Sequence, residues 1–202
     1  MQRRDLVGVV CATVVALSFA TQAAHQAGSS PSALDGERLL DKLIEISANA
    51  SARTAARPVI IYQREINAYL RFQAASEFPE GVTDPDVALR NGGAVSLGAT
   101  VDLSAIRDAR ARGPLDPLRY FGGRLPVSAD GLVRTLNGIG RVDIESVSIG
   151  GVPMPSSVLS ELVRYYSRSD QHPDGIDVSE PFELPYGVTE LRIEDDQVVV
   201  VQ

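Results

Sequence analysis

Ala94-Val95-Ser96-Leu97-Gly98-Ala99-Thr100-Val101-Asp102-Leu103 puts Val95, Leu97, Ala99, Val101 and Leu103 on one side of an extended chain. Ser96, Gly98, Thr100 and Asp102 fall on the other. A period of two is the repeat of a strand with one buried face, because successive side chains point to opposite faces. Asn91-Gly92-Gly93 stands directly ahead, reached through Val82, Val87 and Leu89. Such a triplet adopts positive backbone angles easily. The stretch predicts a half-buried antiparallel hairpin, and with it a sheet assembled from hairpins.

Downstream, Arg124–Ala129 and Leu132–Ile149 read as further strands around an expected turn at Asp130-Gly131. Within Arg141–Ile149 the apolar parity changes from Val142 and Ile144 to Val147 and Ile149, which predicts a bulge near Ser146. Val152-Pro153-Met154-Pro155 ends that strand. Strands near Ile176–Phe182, Val188–Glu194 and Gln197–Val201 close the chain, the last two joined at Asp195-Asp196. The corner Phe78-Pro79-Glu80-Gly81-Val82-Thr83-Asp84 is echoed by Leu184-Pro185-Tyr186-Gly187-Val188-Thr189-Glu190. In each, Pro fixes one backbone angle and Gly supplies the unusual one ahead of a hairpin.

Upstream the period lengthens. Leu39, Leu40, Leu43, Ile44 and Ser47 recur at helical spacing within Leu34–Ala52, and Ser32 with Asp35 forms a capping-box signature. Pro58 interrupts, Val59–Tyr62 reads as a short strand, and Gln63–Ala75 returns to helical period through Tyr62, Ile66, Tyr69, Leu70 and Gln73. Ser104–Arg112 reads as a short polar helix. Ser156 or Ser157 caps another, with Val158, Leu159, Leu162, Val163 and Tyr166 on one face. The expected class is α+β: a twisted antiparallel β-sheet of hairpins packed against two or three amphipathic helices, in a single domain over 34–202.

Residues 1–23 read as a signal peptide: Arg3 and Arg4 precede an apolar run from Leu6 to Ala20, followed by small residues. That run is shorter than the ~20 residues a span requires. The expected location is therefore exported, periplasmic or secreted; an uncleaved N-terminal anchor is the minority reading. Residues 24–33 read as a flexible linker. Cys11, the one cysteine, lies inside the apolar run, so the rest of the chain has no disulfide to lean on. Removing Arg3, Arg4 and Asp5 with the signal takes the formal charge one unit further negative from −7. An acidic chain with scattered arginines is a poor match for nucleic acid. Membrane contact is expected only if the N-terminal segment is kept.

Chemistry-bearing motifs are sparse. His25 and His172 both lie in polar stretches, which argues against a histidine-ligated metal or a histidine base. Neither a phosphate loop nor G-x-S-x-G occurs. The carboxylate pairs Asp84/Asp86, Asp143/Glu145 and Asp195/Asp196 alternate with apolar residues or mark turns, and read as a solvated face. The sequence thus assigns no catalytic residue, metal ligand or cofactor, and the chain is not read as an enzyme. Tyr69 and Tyr166 belong to an aromatic set near helix–strand junctions that either docks helices or lines an apolar groove.

Several segments carry a resemblance. Arg64-Glu65-Ile66-Asn67-Ala68-Tyr69-Leu70, the Pro79–Val82 corner, Val101-Asp102-Leu103, Ile144–Gly151 and Pro181–Val188 resemble a set of bacterial exported proteins. Those are distantly similar to tubular lipid-binding (BPI-like) modules, in which a long twisted sheet wraps a helix over an apolar groove. The resemblance implies an envelope role with a lipid or other apolar small molecule as ligand. The groove residues expected from inward-facing positions are Tyr69, Val95, Leu97, Val101, Val142, Ile144, Leu159 and Tyr166. The alternative is a structural or interaction protein of the envelope with a filled core, whose exposed Val198–Val201 strand pairs with an envelope protein partner.

Overall fold

The alternation at 94–102 becomes the second strand of a hairpin. The computed structural model describes residues 31–52, 57–78, 81–102, 123–155 and 180–202, with the single positions 164, 174 and 177. The expected signal segment, Leu103, the helix over 104–112, and the helix carrying Leu159 and Tyr166 lie outside the described residues. Helix α1 (Ala33–Ala52) leads through β1 (Val59–Tyr62) directly into α2 (Gln63–Phe72). Then come β2 (Val82–Arg90), a single 3₁₀ turn at Asn91–Gly93, and β3 (Ala94–Asp102). Next are β4 (Arg124–Leu136), β5 (Ile139–Ile149), β6 (Val152–Pro153), β7 (Phe182–Glu183), β8 (Glu190–Glu194) and β9 (Gln197–Val201). The chain is α+β with a large antiparallel sheet.

Two sheets form. The larger runs β2-β3-β4-β5-β6, with β7 pairing the opposite end of β5; the smaller runs β1-β9-β8. Every described pairing is antiparallel. The two corner sequences that echo each other start hairpins in different sheets, β2–β3 in one and β8–β9 in the other. The C-terminal strand is also not an edge: Val200 of β9 faces Val59 on one side and Leu191 on the other. The expected exposed Val198–Val201 edge is thereby corrected.

The expected turn at Asp130-Gly131 is a second correction. Strand β4 runs straight through it, and the chain reverses at Asn137-Gly138, both with positive φ (52° and 81°). Two consecutive positive φ values suit a two-residue hairpin, because they match the twist of the flanking strands. Gly131 serves a different need. A Cβ there would stand 2.8 Å from the Asp143 carbonyl, so glycine permits a close strand approach in mid-sheet. The β4–β5 register shifts at this step, with Asp130 opposite Ser146 and Gly131 opposite Ile144. Glu145 is the extra residue, which places the bulge beside the position where the parity changes.

The outer edge of β2 is closed by side chains. Asn67 of α2 donates to the Val87 carbonyl (2.9 Å) and accepts from the Val87 amide (2.7 Å), reproducing what a neighbouring strand would offer. Gln63 accepts from the Leu89 amide (2.6 Å), and the Leu89 carbonyl accepts from Asp196 N–H (3.2 Å). An open edge is a template for other chains, and these amides occupy it. The two hairpin turns are joined as well: Asp195 accepts from the Asn91 amide (3.0 Å) and from its side-chain Nδ2. On the far side, Thr135 Oγ1 accepts from Leu191 N–H (2.7 Å) and donates to Leu191 O (3.1 Å), fastening β8 to β4. One hydrophobic cluster draws on both helices and both sheets, from Leu39 and Leu70 to Leu97, Val142 and Val200. No described helix is long and apolar enough to cross a membrane.

Helix α1 starts as its sequence indicates. The Asp35 amide is within 3.4 Å of Ser32 Oγ, and the Asp35 carboxylate accepts from Ser32 N–H and O–H. Those hydrogen bonds, helped by Arg38 and Arg64, hold the Asp35 carboxyl below its ordinary pKa. A depressed folded-state pKa stabilises the fold above the unfolded value of about 3.8, and that contribution is lost as pH falls through the folded value. Ser32→Ala should therefore lower the urea midpoint at pH 7, and the gap to wild type should close as titration proceeds below pH 3.8. Asn67→Ala, which leaves both Val87 backbone groups without partners, should cost about 1–3 kcal/mol in the same assay.

Candidate functional site

The inward faces of the elements do not meet in a filled centre. They leave a cavity of about 480 Å³. One wall is α1, through Leu39, Leu40, Leu43, Ile44 and Ile46. The large sheet supplies Val87, Val95, Leu97, Ala129, Gly131, Val133 and Val142. Ile61, Ile66, Tyr69 and Leu70 come from β1 and α2; Leu191, Ile193, Val198 and Val200 come from the small sheet. The remaining side is the run Phe182, Leu184, Pro185, Tyr186 and Val188. Among the described residues no charged side chain lines it.

Strand parity explains the lining. In β4, Ala129, Gly131 and Val133 share a face, and opposite them in β3 are Leu97 and Val95. Ala129 and Gly131 are small, so the sheet cannot fill the space above them. Ile44 is 56% exposed while also lining the cavity, so the space reaches solvent beside α1.

Of the groove residues expected from sequence, the structure gathers Tyr69, Val95, Leu97 and Val142 around this cavity. Val101 is buried in the core and Ile144 packs against it, but neither lines the space. Val101 pairs with Val82 and Leu125 near the other end of β3. Leu159 and Tyr166 fall outside the described residues. Sequence reasoning did not assign the α1 wall, although the apolar stripe through Leu39, Leu40 and Leu43 was plain. Nor did it assign Phe182–Val188, whose irregular backbone has no period to read.

A buried ion pair ties the α1 wall to α2. Glu65, 2% exposed, accepts two hydrogen bonds from Lys42 Nζ (2.8 and 2.6 Å) and one from the Tyr62 amide (2.9 Å). Lys42 also lies 4.9 Å from the centre of the Tyr62 ring, within cation–π range. Gln202 Nε2 adds a second tie, donating to the carbonyls of Ile46 and Tyr186 (2.8 Å each). It thereby joins α1 to the 182–188 side.

Several other polar groups are engaged structurally. Asp130 accepts from Ser96 (2.6 Å) and Ser146 (2.8 Å) across three strands, on the face of β4 opposite Ala129 and Gly131. Asp143 pairs with Arg134 (2.9 Å). The Asp86 carboxyl lies over bare Gly98, where a Cβ would collide with it. Burial on that side raises its pKa, opposed by Arg71, although the residue as a whole is exposed. Among the described residues no three His, Cys, Asp or Glu side chains converge as a metal-binding group. The described residues thus enclose a space lined by apolar side chains. Comparison of the chain with family models, with curated proteins and with solved structures finds no match in any of the three.

Lys42→Met should be strongly destabilising, by about 3–5 kcal/mol in chemical denaturation, because it leaves the Glu65 carboxylate buried without its counter-charge. The double change Lys42→Met with Glu65→Leu should recover much of that loss.

Proposed function

We propose that this protein is an exported envelope module that binds a lipid or similar apolar molecule in the space between its sheets and helix α1. The observation that carries the reading is the cavity. Its volume of about 480 Å³ falls within the ~300–1,000 Å³ typical of small-molecule sites. A void of that size lined by aliphatic side chains is costly to leave empty, since its walls forgo the contacts of a packed core. Filling it with an apolar molecule restores those contacts and removes the ligand's own surface from water.

Other features agree. The resemblance of the quoted segments to exported proteins related to tubular lipid-binding modules points to the same ligand class. The signal-like residues 1–23 would deliver the module across the membrane, to the periplasm or the exterior. The strand Val198–Val201, whose expected exposure favoured the interaction-protein alternative, is paired on both sides.

Native mass spectrometry of the protein taken from its own envelope should find a bound apolar mass, and the stripped protein should take up a fluorescent apolar dye. Ile44→Glu, an exposed change at the opening, should leave stability within ~0.5 kcal/mol and weaken dye uptake. Recovery of the bare chain mass alone, with no uptake from dye or phospholipid vesicles, defeats the reading.

A further inference from the structure

We infer that Phe182 is the residue that sets how long a ligand the cavity accepts. This inference rests on the apolar-ligand reading and adds the element that limits it. Strand β7 is two residues long and pairs with the start of β5, Phe182 opposite Gly140 and Glu183 opposite Ile139. Directly paired residues project to the same face, so the Phe182 ring lies on the face of β5 that carries Val142 toward the cavity. It can sit as close as it does because Gly140 is bare. A Cβ at Gly140 would stand 2.5 Å from the ring's Cζ and 2.7 Å from Cε2.

Gly140 takes no unusual backbone angle, so its lack of a side chain serves the ring rather than a turn. The ring lines the cavity but is only half-buried. The ring therefore stands between the ligand space and the bare backbone of Gly140, at the start of β5. Ile139, one position earlier on β5, points to the opposite face and is 44% exposed. Phe182 thus forms an end wall, one aromatic ring thick, held by a two-residue strand. Among the described residues the lining offers no charged group to anchor a polar end. Discrimination among ligands accordingly falls to shape, and the end wall fixes the length.

A homologous series of n-alkanols displacing an apolar dye from the full chain measures that length. In the wild type, affinity should rise about fourfold per added methylene and level off once the chain reaches the wall. Phe182→Ala should move the plateau to longer alkanols by several carbons, and Phe182→Trp should move it to shorter ones. Ile139→Ala, on the outer face, should leave it in place. Thermal melts accompany each variant, and Phe182→Leu replaces Phe182→Ala if the latter does not fold. A plateau at the same length in the Ala or Leu and Trp variants overturns the role of Phe182 while leaving the apolar cavity intact. Absence of alkanol and dye binding in the wild type overturns the apolar-ligand reading itself.

Discussion

A carboxylate taken almost wholly out of water organises this fold. Glu65 stands in the first turn of α2, where it accepts the Tyr62 amide as a helix N-terminal partner and receives Lys42 from α1. Burying a charge is costly unless its counter-charge and hydrogen bonds are supplied in good geometry. Here three hydrogen bonds converge on two oxygens. The only lysine in the chain is the one that reaches this site. Because Lys42 is on α1, satisfying Glu65 also fixes the rotation of α1. Leu39, Leu43 and Ile46 consequently face inward. The wall of the cavity is a by-product of an electrostatic requirement.

The two sheets obey a related rule. They share no ladder, and side chains together with the backbone bond from Asp196 N–H to the Leu89 carbonyl join them. Asn67 and Gln63 occupy the β2 edge, Thr135 engages Leu191, and Asp195 clasps the Asn91 turn. Backbone groups must be paired wherever water is excluded. Pairing them outside a continuous ladder leaves the two sheets separate. The space between their inward faces is lined by whatever strand parity delivers, and parity delivers Val, Leu, Ile and Ala.

Local pattern made much of this legible. The hairpin through Asn91–Gly93, the capping box at Ser32, the bulge beside Ser146 and the short strand at Val59–Tyr62 each follow from a few adjacent residues. Asp130-Gly131 misled because glycine has two uses: it permits a turn, and it permits close backbone approach. Only the proximity of the Asp143 carbonyl decides between them. Asn137-Gly138 carried the stronger turn signal of the two, since both residues accept positive φ readily. Of the site, Tyr69, Val95, Leu97 and Val142 were legible as inward-facing positions. Val101 and Ile144 share that local pattern, but distance along the sheet, which parity does not encode, takes them out of the lining.

By itself, then, the sequence determined the class of structure, the faces of its strands and helices, and the absence of a cysteine beyond the N-terminal apolar run. These are properties of neighbouring residues, set by the periods of strand and helix and by the angles that Gly and Pro allow. Tertiary structure alone decided that the echoing hairpins belong to separate sheets and that Val198–Val201 is central rather than an edge. It also decided that the apolar faces enclose space instead of filling it. Those outcomes depend on which distant groups satisfy one another: Lys42 with Glu65, Asn67 with Val87, Phe182 over Gly140. Such pairings join residues as far as 156 positions apart along the chain, as Gln202 with Ile46 does, and no local period records them.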